Sequence, residues 1–599
     1  MTEGSRPTVE ELEDALTIPF PASDRLYLED SRRLTGPGLL WDKPGAIAEV
    51  VVHDLNLNDV ATIWHDKARQ LLDAVDWQAE RCICRPHEDG LNLAISAPID
   101  QLYSAIFVIQ ASWHYTVCEL LDQTPIPQAQ MLEDLRAVMS SEANPPLIAL
   151  QQAAAEHAVD FLSDDDSVSI GHGCGSQTWE VLSLPAIDTV PWEALHNIPV
   201  AMITGTNGKS TCVRLASAVA AADGRVAGVT STDFVRVGND ILDEGDYSGP
   251  GGARMLLRDI RTEIAFLEVA RGGILRRGLA LKQAQAALVT NVAADHLGQY
   301  GINTVPALIE AKFSVFRTLA SGGILVLNAD DEGLVAHAHA LADEVAREGK
   351  VLCWFSLHED NGCIVDALAC GSPCGWLHED ILWFYDGATT RSLMPAADIP
   401  IAMGGAARYN LSNALAVMCL AYAMGLPYEA IRLGLASFSN NTQDNPGRCN
   451  EFEVGGARVF VDFAHNPHSI EAVAETMRCL PAKRRLLMLG HAGDRSDDEI
   501  RALTLGAMSL SPDQVVIAEL PDYLRGRELG EVSEVIRRTC LASGLTNAKL
   551  NLCANPLEGA AVALDWLEKD DLALLLVLSD RPAVIDLIET RQNRDKTDD

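Results

Sequence analysis

Apolar residues in the middle of this chain fall in short continuous runs separated by longer stretches of helical composition. Val200–Ile203, Ile264–Val269, Ala286–Val289 and Ile324–Leu327 are such runs. Continuous rather than alternating apolar character predicts strands buried on both faces, as in a parallel sheet covered by helices. Residues 197 to 446 therefore read as one largely parallel α/β sheet. Pro446-Gly447 breaks the chain, and a third α/β segment, 447–599, follows with strands at Val459–Asp462, Arg485–Leu489, Gln514–Ala518 and Leu572–Leu578. Residues 1–196 read as mixed α/β, with strands at Glu49–His53 and Leu91–Ser96 and helices at Ile99–Leu121 and Pro145–Phe161. Pro185, Pro191 and Pro199 mark loop composition before the central segment, and the tail Arg591–Asp599 reads as frayed. A length of 599 residues fits the three segments.

The run Val200–Ile203 leads into Thr204-Gly-Thr-Asn-Gly-Lys-Ser-Thr211, and a small-residue helical stretch, Thr211–Ala222, follows. Strand, glycine loop and helix N-terminus together aim backbone N–H groups and a helix dipole at one spot, which suits a phosphate. Lys209 can reach the outer phosphates, and the Ser210 hydroxyl can bind the magnesium that travels with them. The first Gly of the common phosphate-loop pattern is replaced by Ile203, so the loop is a shorter variant.

Composition narrows the classes. The net charge of −38 argues against binding nucleic acid or an anionic membrane through the general surface. The N-terminal stretch Met1–Asp14 is acidic, without the apolar core of a secretory signal, and no run of about 18 uncharged apolar residues suggests a membrane span. The 14 cysteines are scattered, as reduced thiols in a cytoplasm are. Cys363, Cys370, Cys374 and His378 match no familiar zinc spacing and read as ordinary side chains.

More motifs sit at predicted strand ends, where open α/β sheets bind ligands. Glu268 ends Ile264–Val269 and precedes Arg271-Gly-Gly273; a carboxylate there can take magnesium. Asn291-Val-Ala-Ala-Asp295-His296 follows Ala286–Val289 and suits a second metal or a phosphoryl oxygen. Lys312, by itself, reads as a surface lysine. Arg448, after the Pro-Gly break, can be swung onto a γ-phosphate, and Asp462-Phe-Ala-His465-Asn-Pro467 can reach ribose or substrate.

Taken in order, GTNGKST (205–211), LEVARGGILRRG (267–278), NVAADHLG (291–298), GGAARYNLSNALA (404–416), NPGRCNEFEVGG (445–456), VDFAHNP (461–467), GHAGDRSDDEI (490–500) and LRGRELGE (524–531) closely resemble the Mur ligase superfamily, and within it the Mur-like half of the cyanophycin synthetases. GDYSGPGGARMLLRD (245–259) belongs to the same set, and LYLEDSRRLTGPGLLW (26–41) and SVSIGHGCGSQ (167–177) resemble the N-terminal domain of those enzymes. The phosphate loop follows almost at once, leaving no room for their ATP-grasp domain.

The resemblance implies a three-domain α/β architecture: an N-terminal domain (1–196), a central P-loop ATPase domain (197–446) and a C-terminal Rossmann-like domain (447–599). It implies an ADP-forming ATP-dependent ligase that activates a carboxylate as an acyl phosphate and joins it to an amine, with ATP and Mg²⁺ as cofactors. Gly205, Thr206, Asn207, Gly208, Lys209, Ser210 and Thr211 would cradle the phosphates. Ser210 and Glu268 would hold magnesium; His296 would bind a second, placed by a carbamylated Lys312. Asn410 and Asn413 would lie near adenine, with Asn291, Arg448, Asp462 and His465 completing the nucleotide site. The implied partners are small carboxylate and amino-acid substrates, with arginine or lysine and an aspartyl-type carboxylate as leading identities, and Asp494, Arg495, Arg525 and Arg527 on the substrate rim. The missing ATP-grasp domain keeps a second reading open, a nucleotide-binding scaffold that has lost ligation, and residues 1–196 would hold the acceptor or build a homo-oligomer.

Overall fold

The computed structural model describes residues 7–598; Met1–Arg6 of the acidic N-terminal stretch and Asp599 lie outside the described residues. Three α/β bodies follow one another along the chain. In the first, strands Leu26–Leu34, Gly45–Val52, Gly90–Ser96 and Cys82–His87 form a four-stranded antiparallel sheet in that spatial order. Helices Leu57–Ala74 and Leu102–Leu120 cover it, burying Trp64 and Trp113 completely. The expected helix from Pro145 ends at Glu156, where His157 and the positive-φ Ala158 lead into the strand Phe161–Ser163.

The second body is an eleven-stranded sheet whose seven inner strands run parallel, with antiparallel hairpins at both edges. Its inner strands are the continuous apolar runs: every residue of Val200–Thr204 and Ile264–Glu268 is buried, because helices pack on both faces. Val200–Thr204 lies between Ile264–Glu268 and Ala284–Val289. The chain leaves it to one side of the sheet first and to the other side later, so a switch point opens beyond its C-terminal end, where such sheets bind ligands. The third body is a six-stranded sheet, parallel except for the edge strand Asn450–Val454. Its last helix, Arg581–Asp598, continues through the tail that the sequence suggested was frayed. Among the described residues no helix is long and apolar enough to cross a membrane, and all 14 cysteines are free.

The second and third bodies meet at a buried charge cluster. Arg214, on the helix after the phosphate loop, is fully buried and paired with Asp233, and Arg581 of the last helix reaches the other Asp233 oxygen at 2.7 Å. Burial would push the Asp233 carboxyl up, but the charges of Arg214, Arg448 and Arg581 prevail and hold it down at about 2. A carboxyl depressed in the fold stabilises it above its unfolded value of 3.8, and that contribution is lost as pH falls through 3.8 towards 2. Asp233→Asn is expected to cost about 3–5 kcal/mol, because it strands Arg214 as a buried unpaired charge; urea unfolding at pH 7 and pH 3 measures it, with the gap to wild type narrowing at the lower pH.

Candidate functional site

The strand Val200–Thr204 ends in the loop 205–208, and the helix Lys209–Ala222 starts immediately after it. Gly208 is the helix N-cap at φ 86°, a left-handed conformation that glycine adopts without strain. A Cβ there would come within 2.4 Å of Asn413 Oδ1, and one on Gly205 within 1.9 Å of Thr290 Oγ1. The loop is thus set close against two neighbours. Asn291, just past the strand Ala284–Val289, braces it: its side chain accepts from Asn207 N at 3.0 Å and donates to Asn207 O at 3.1 Å, and its carbonyl accepts from Thr206 N at 2.8 Å.

Around this loop lie the ends of neighbouring strands. Glu268 is buried, and its Oε1 has no hydrogen-bond partner. Its other oxygen lies 3.4 Å from the Thr232 N–H, and the Thr232 hydroxyl is 3.3 Å from that of Ser210. An unpartnered buried carboxylate oxygen beside two hydroxyls is a donor set of hard oxygens, which fits Mg²⁺. Lys209 folds back to donate to Thr206 O at 3.0 Å.

Lys312, far from being a surface side chain, is buried behind the loop and donates to Gly205 O at 2.7 Å. Burial first, and then the charge of Lys209, drive its ammonium well below the ordinary lysine range, so its proton is given up more readily there. Asp295, His296 and His465 bring one ligand atom each within 4.8 Å of one another. Asp295 Oδ1 is buried without a hydrogen bond, with His296 Nε2 at 3.8 Å and Arg495 Nη2 at 3.9 Å. Burial lowers the pKa of both histidines, which keeps their ring nitrogens available as ligands.

The third body closes the other wall. Arg448 stands over the Phe463 ring at 5.0 Å. Asp462 accepts from Cys449 N at 2.7 Å and Ala464 N at 2.6 Å; burial pushes its carboxyl up to about 6 against the pull of Arg448. Asn410 and Asn413 are buried on the helix Arg408–Ala423 and bonded to each other at 3.1 Å. Between the two bodies runs a cleft of about 700 Å³, within the size range of nucleotide-sized ligand sites.

Thr206 to Thr211, Glu268, Asn291, Asn410, Asn413, Arg448, Asp462 and His465 all line the cleft. Gly205, His296 and Lys312 do not; they stand behind or beside the loop. Thr232 was missed, although Thr-Ser-Thr232-Asp follows an apolar strand as the recognised motifs do, and Asn466, read as part of the motif 462–467, bonds the phosphate loop instead. The rim divides: Arg525 pairs with Asp494, and Arg527 is spent on Asp497 at 2.7 Å and two loop carbonyls, whereas Arg495 turns inward to Asp295. His378 pairs with Glu359 at 2.7 Å.

A glycine phosphate loop at the switch point of a parallel sheet, roofed by a second α/β body, defines the chain as a P-loop α/β protein. Residues 203–421 match the Mur ligase middle domain and residues 447–576 the Mur ligase glutamate ligase domain, and the chain belongs to the Mur ligase family. It is 35% identical to the cyanophycin synthetase of Crocosphaera subtropica over 66% of this chain and 44% of that protein. It is 33% identical to that of Synechocystis sp. over 69% and 46%. The chain therefore spans a little under half the length of these relatives. The UDP-N-acetylmuramoyl-L-alanyl-D-glutamate–2,6-diaminopimelate ligase of Chlorobium phaeobacteroides is 27% identical over 54% of this chain and 61% of that one. The structure of E. coli FolC in complex with DHPP and ADP shares the fold, with TM-score 0.50 and 21% identity over 66% of this chain and 89% of that one.

Proposed function

We propose that this protein is an ADP-forming ligase that activates a substrate carboxylate with ATP and joins it to the amine of an amino acid. The observation that carries the reading is the cleft itself, with a phosphate loop and an unpartnered Glu268 carboxylate on one wall and Arg448, Asp462 and His465 on the other. The names of its relatives fit it: cyanophycin synthetases and a UDP-N-acetylmuramoyl-L-alanyl-D-glutamate–2,6-diaminopimelate ligase.

In this reading the loop N–H groups and Lys209 hold the β- and γ-phosphates, Lys209 exchanging the Thr206 carbonyl for phosphate oxygens. Mg²⁺ held by Ser210 and Glu268, with a second ion at His296, would offset the negative charge of the phosphate oxygens. The substrate carboxylate oxygen attacks the γ-phosphorus, and the bond to the β-phosphate oxygen breaks with ADP leaving. Arg448 and Lys209 stabilise the charge of that transition state electrostatically. A neutral amine then attacks the acyl phosphate carbonyl, phosphate departs, and the amine loses its proton. In its neutral form Lys312 Nζ would attack CO₂, forming an N–C bond and releasing a proton, which turns it into a carbamate. Asn410 and Asn413 form the adenine end, and Asp462 and His465 face ribose or substrate. The three segments 1–196, 197–446 and 447–599 act as acceptor-side, nucleotide and closing domains. Free thiols and the proposed use of ATP support a cytoplasmic location.

Phosphate release screened over pairs of amino acids with ATP and Mg²⁺, followed by mass measurement, tests this. The expected product is an amide equal in mass to its two substrates less one water, with one ADP per bond. Phosphate release with no new amide in any pair overturns it. Between the strand Gln177–Glu180 and Val200 lie only short turns, so no second ATP site is inserted there. With ATP, arginine and aspartate the protein is accordingly expected to form no insoluble polymer; a growing ladder of chain lengths on a gel would refute that.

A further inference from the structure

Asn466 joins the third body to the phosphate loop. It is the N-cap of the helix Pro467–Cys479 and is completely buried. A primary amide offers two acceptor lone pairs and two donor hydrogens, and all four are used here. Asn466 Oδ1 accepts from Ser469 N at 2.9 Å, the helix cap, and from Asn207 Nδ2 at 3.3 Å. Asn466 Nδ2 donates to Asn207 Oδ1 at 2.9 Å and to Asp295 Oδ2 at 3.2 Å. Only the first of these bonds is internal to the third body. The other three cross to the second, two of them as a reciprocal amide pair.

Asn207 is held rigid to receive them. Its N–H and carbonyl are fixed by Asn291, and Thr290 Oγ1 donates to the same carbonyl at 2.6 Å. Its spare amide hydrogen meets His468 Nδ1 at 3.0 Å, on the same helix as the Asn466 cap. The one residue of the loop whose side chain bonds the third body therefore sits between Thr206 and Gly208, inside the segment that surrounds a phosphate.

We propose that Asn466 is a positioning residue that reports the conformation of the phosphate loop to the closing body, so that closure occurs only over a correctly shaped loop. A shift of Asn207 breaks the reciprocal pair and leaves a buried amide and a buried carboxylate short of partners, which is costly. This rests on the ligase reading for its consequence: water is excluded from the acyl phosphate only when the latch is made.

Asn466→Asp is the discriminating variant. Aspartate caps a helix as well as asparagine does, so the helix is kept. The new carboxylate cannot donate to Asn207 Oδ1 and stands against Asp295. Turnover to amide is expected to fall at least about tenfold, and ADP released per amide formed to rise, with a lowered thermal midpoint because a buried carboxylate now faces Asp295. In Asn466→Asp with Asp295→Asn the polarity of that contact is reversed rather than lost. Relative to the product of the losses in Asn466→Asp and Asp295→Asn alone, the double variant is expected to be at least about fivefold more active, a coupling of ordinary size for touching side chains. Hydrogen exchange in the ligand-free protein reads the latch without turnover: the Asn207 and Gly208 amides are expected to exchange about tenfold faster in Asn466→Asp. Wild-type exchange in that variant, or a double variant showing only the product of the two single losses, overturns the proposal. If no substrate pair is ligated by wild type, the ligase reading fails while the exchange comparison still decides the latch.

Discussion

Lys209→Ala is expected to lower amide formation by about 10³-fold, on the scale of losing a charge-stabilising group from a closed phosphoryl-transfer site. The structure separates this from misfolding. Lys209 makes one hydrogen bond, to a loop carbonyl at 3.0 Å, and no helix or strand packing depends on its ammonium. The thermal midpoint is therefore expected to move by less than about 3 °C, while single-turnover phosphate release collapses. Activity within threefold of wild type would remove the phosphate-loop assignment and with it the ligase reading.

The second large effect is expected at Lys312. In Lys312→Ala two losses combine: the Gly205 carbonyl loses its 2.7 Å donor, and the carbamate disappears. The first costs about 1–3 kcal/mol of stability and leaves catalysis in place. The second should leave the enzyme nearly inactive. Short carboxylic acids separate them, since acetate or propionate can occupy the space of the missing side chain and supply a carboxylate but cannot donate to Gly205. Partial recovery of turnover in acetate, with stability still lowered, is the expected pattern. A carbamate carbon signal from wild type in ¹³C-bicarbonate should accompany it and be absent from the variant. No recovery in any short acid and no such signal would mean that Lys312 serves only to hold the loop.

The sheet strands and the phosphate loop could be read from the sequence because each is a local pattern. A buried parallel strand must be apolar throughout, and a loop that wraps an anion must place glycines at fixed positions. Arg485–Leu489 and Gln514–Ala518 form at the expected residues for the first reason. Lys312 was misread from its local setting because its burial comes from a loop more than a hundred residues away, and no periodicity around it signals that. The bond between Asn466 and Asp295, each read only as a member of its own motif, escaped for a related reason. Each looks like an ordinary turn or cap residue until the third body is laid against the second. Arg527 went the other way: it was a candidate for the substrate rim, but Asp497 and the carbonyls of Gly493 and Arg495 occupy its guanidinium.

The first body is bound to the second by backbone as well as side chains. Thr35 N donates to Arg277 O at 2.8 Å and Leu279 N to Pro37 O at 2.6 Å, flanking the helix Arg271–Arg277 beside the site. Arg32 reaches Leu275 O, and Arg258 pairs with Asp164 across the same seam. These backbone bonds set the register between the two bodies at this seam. A protein engineer exchanging the first body between relatives would have to transplant the segment 271–279 with it, because that segment completes its hydrogen bonding.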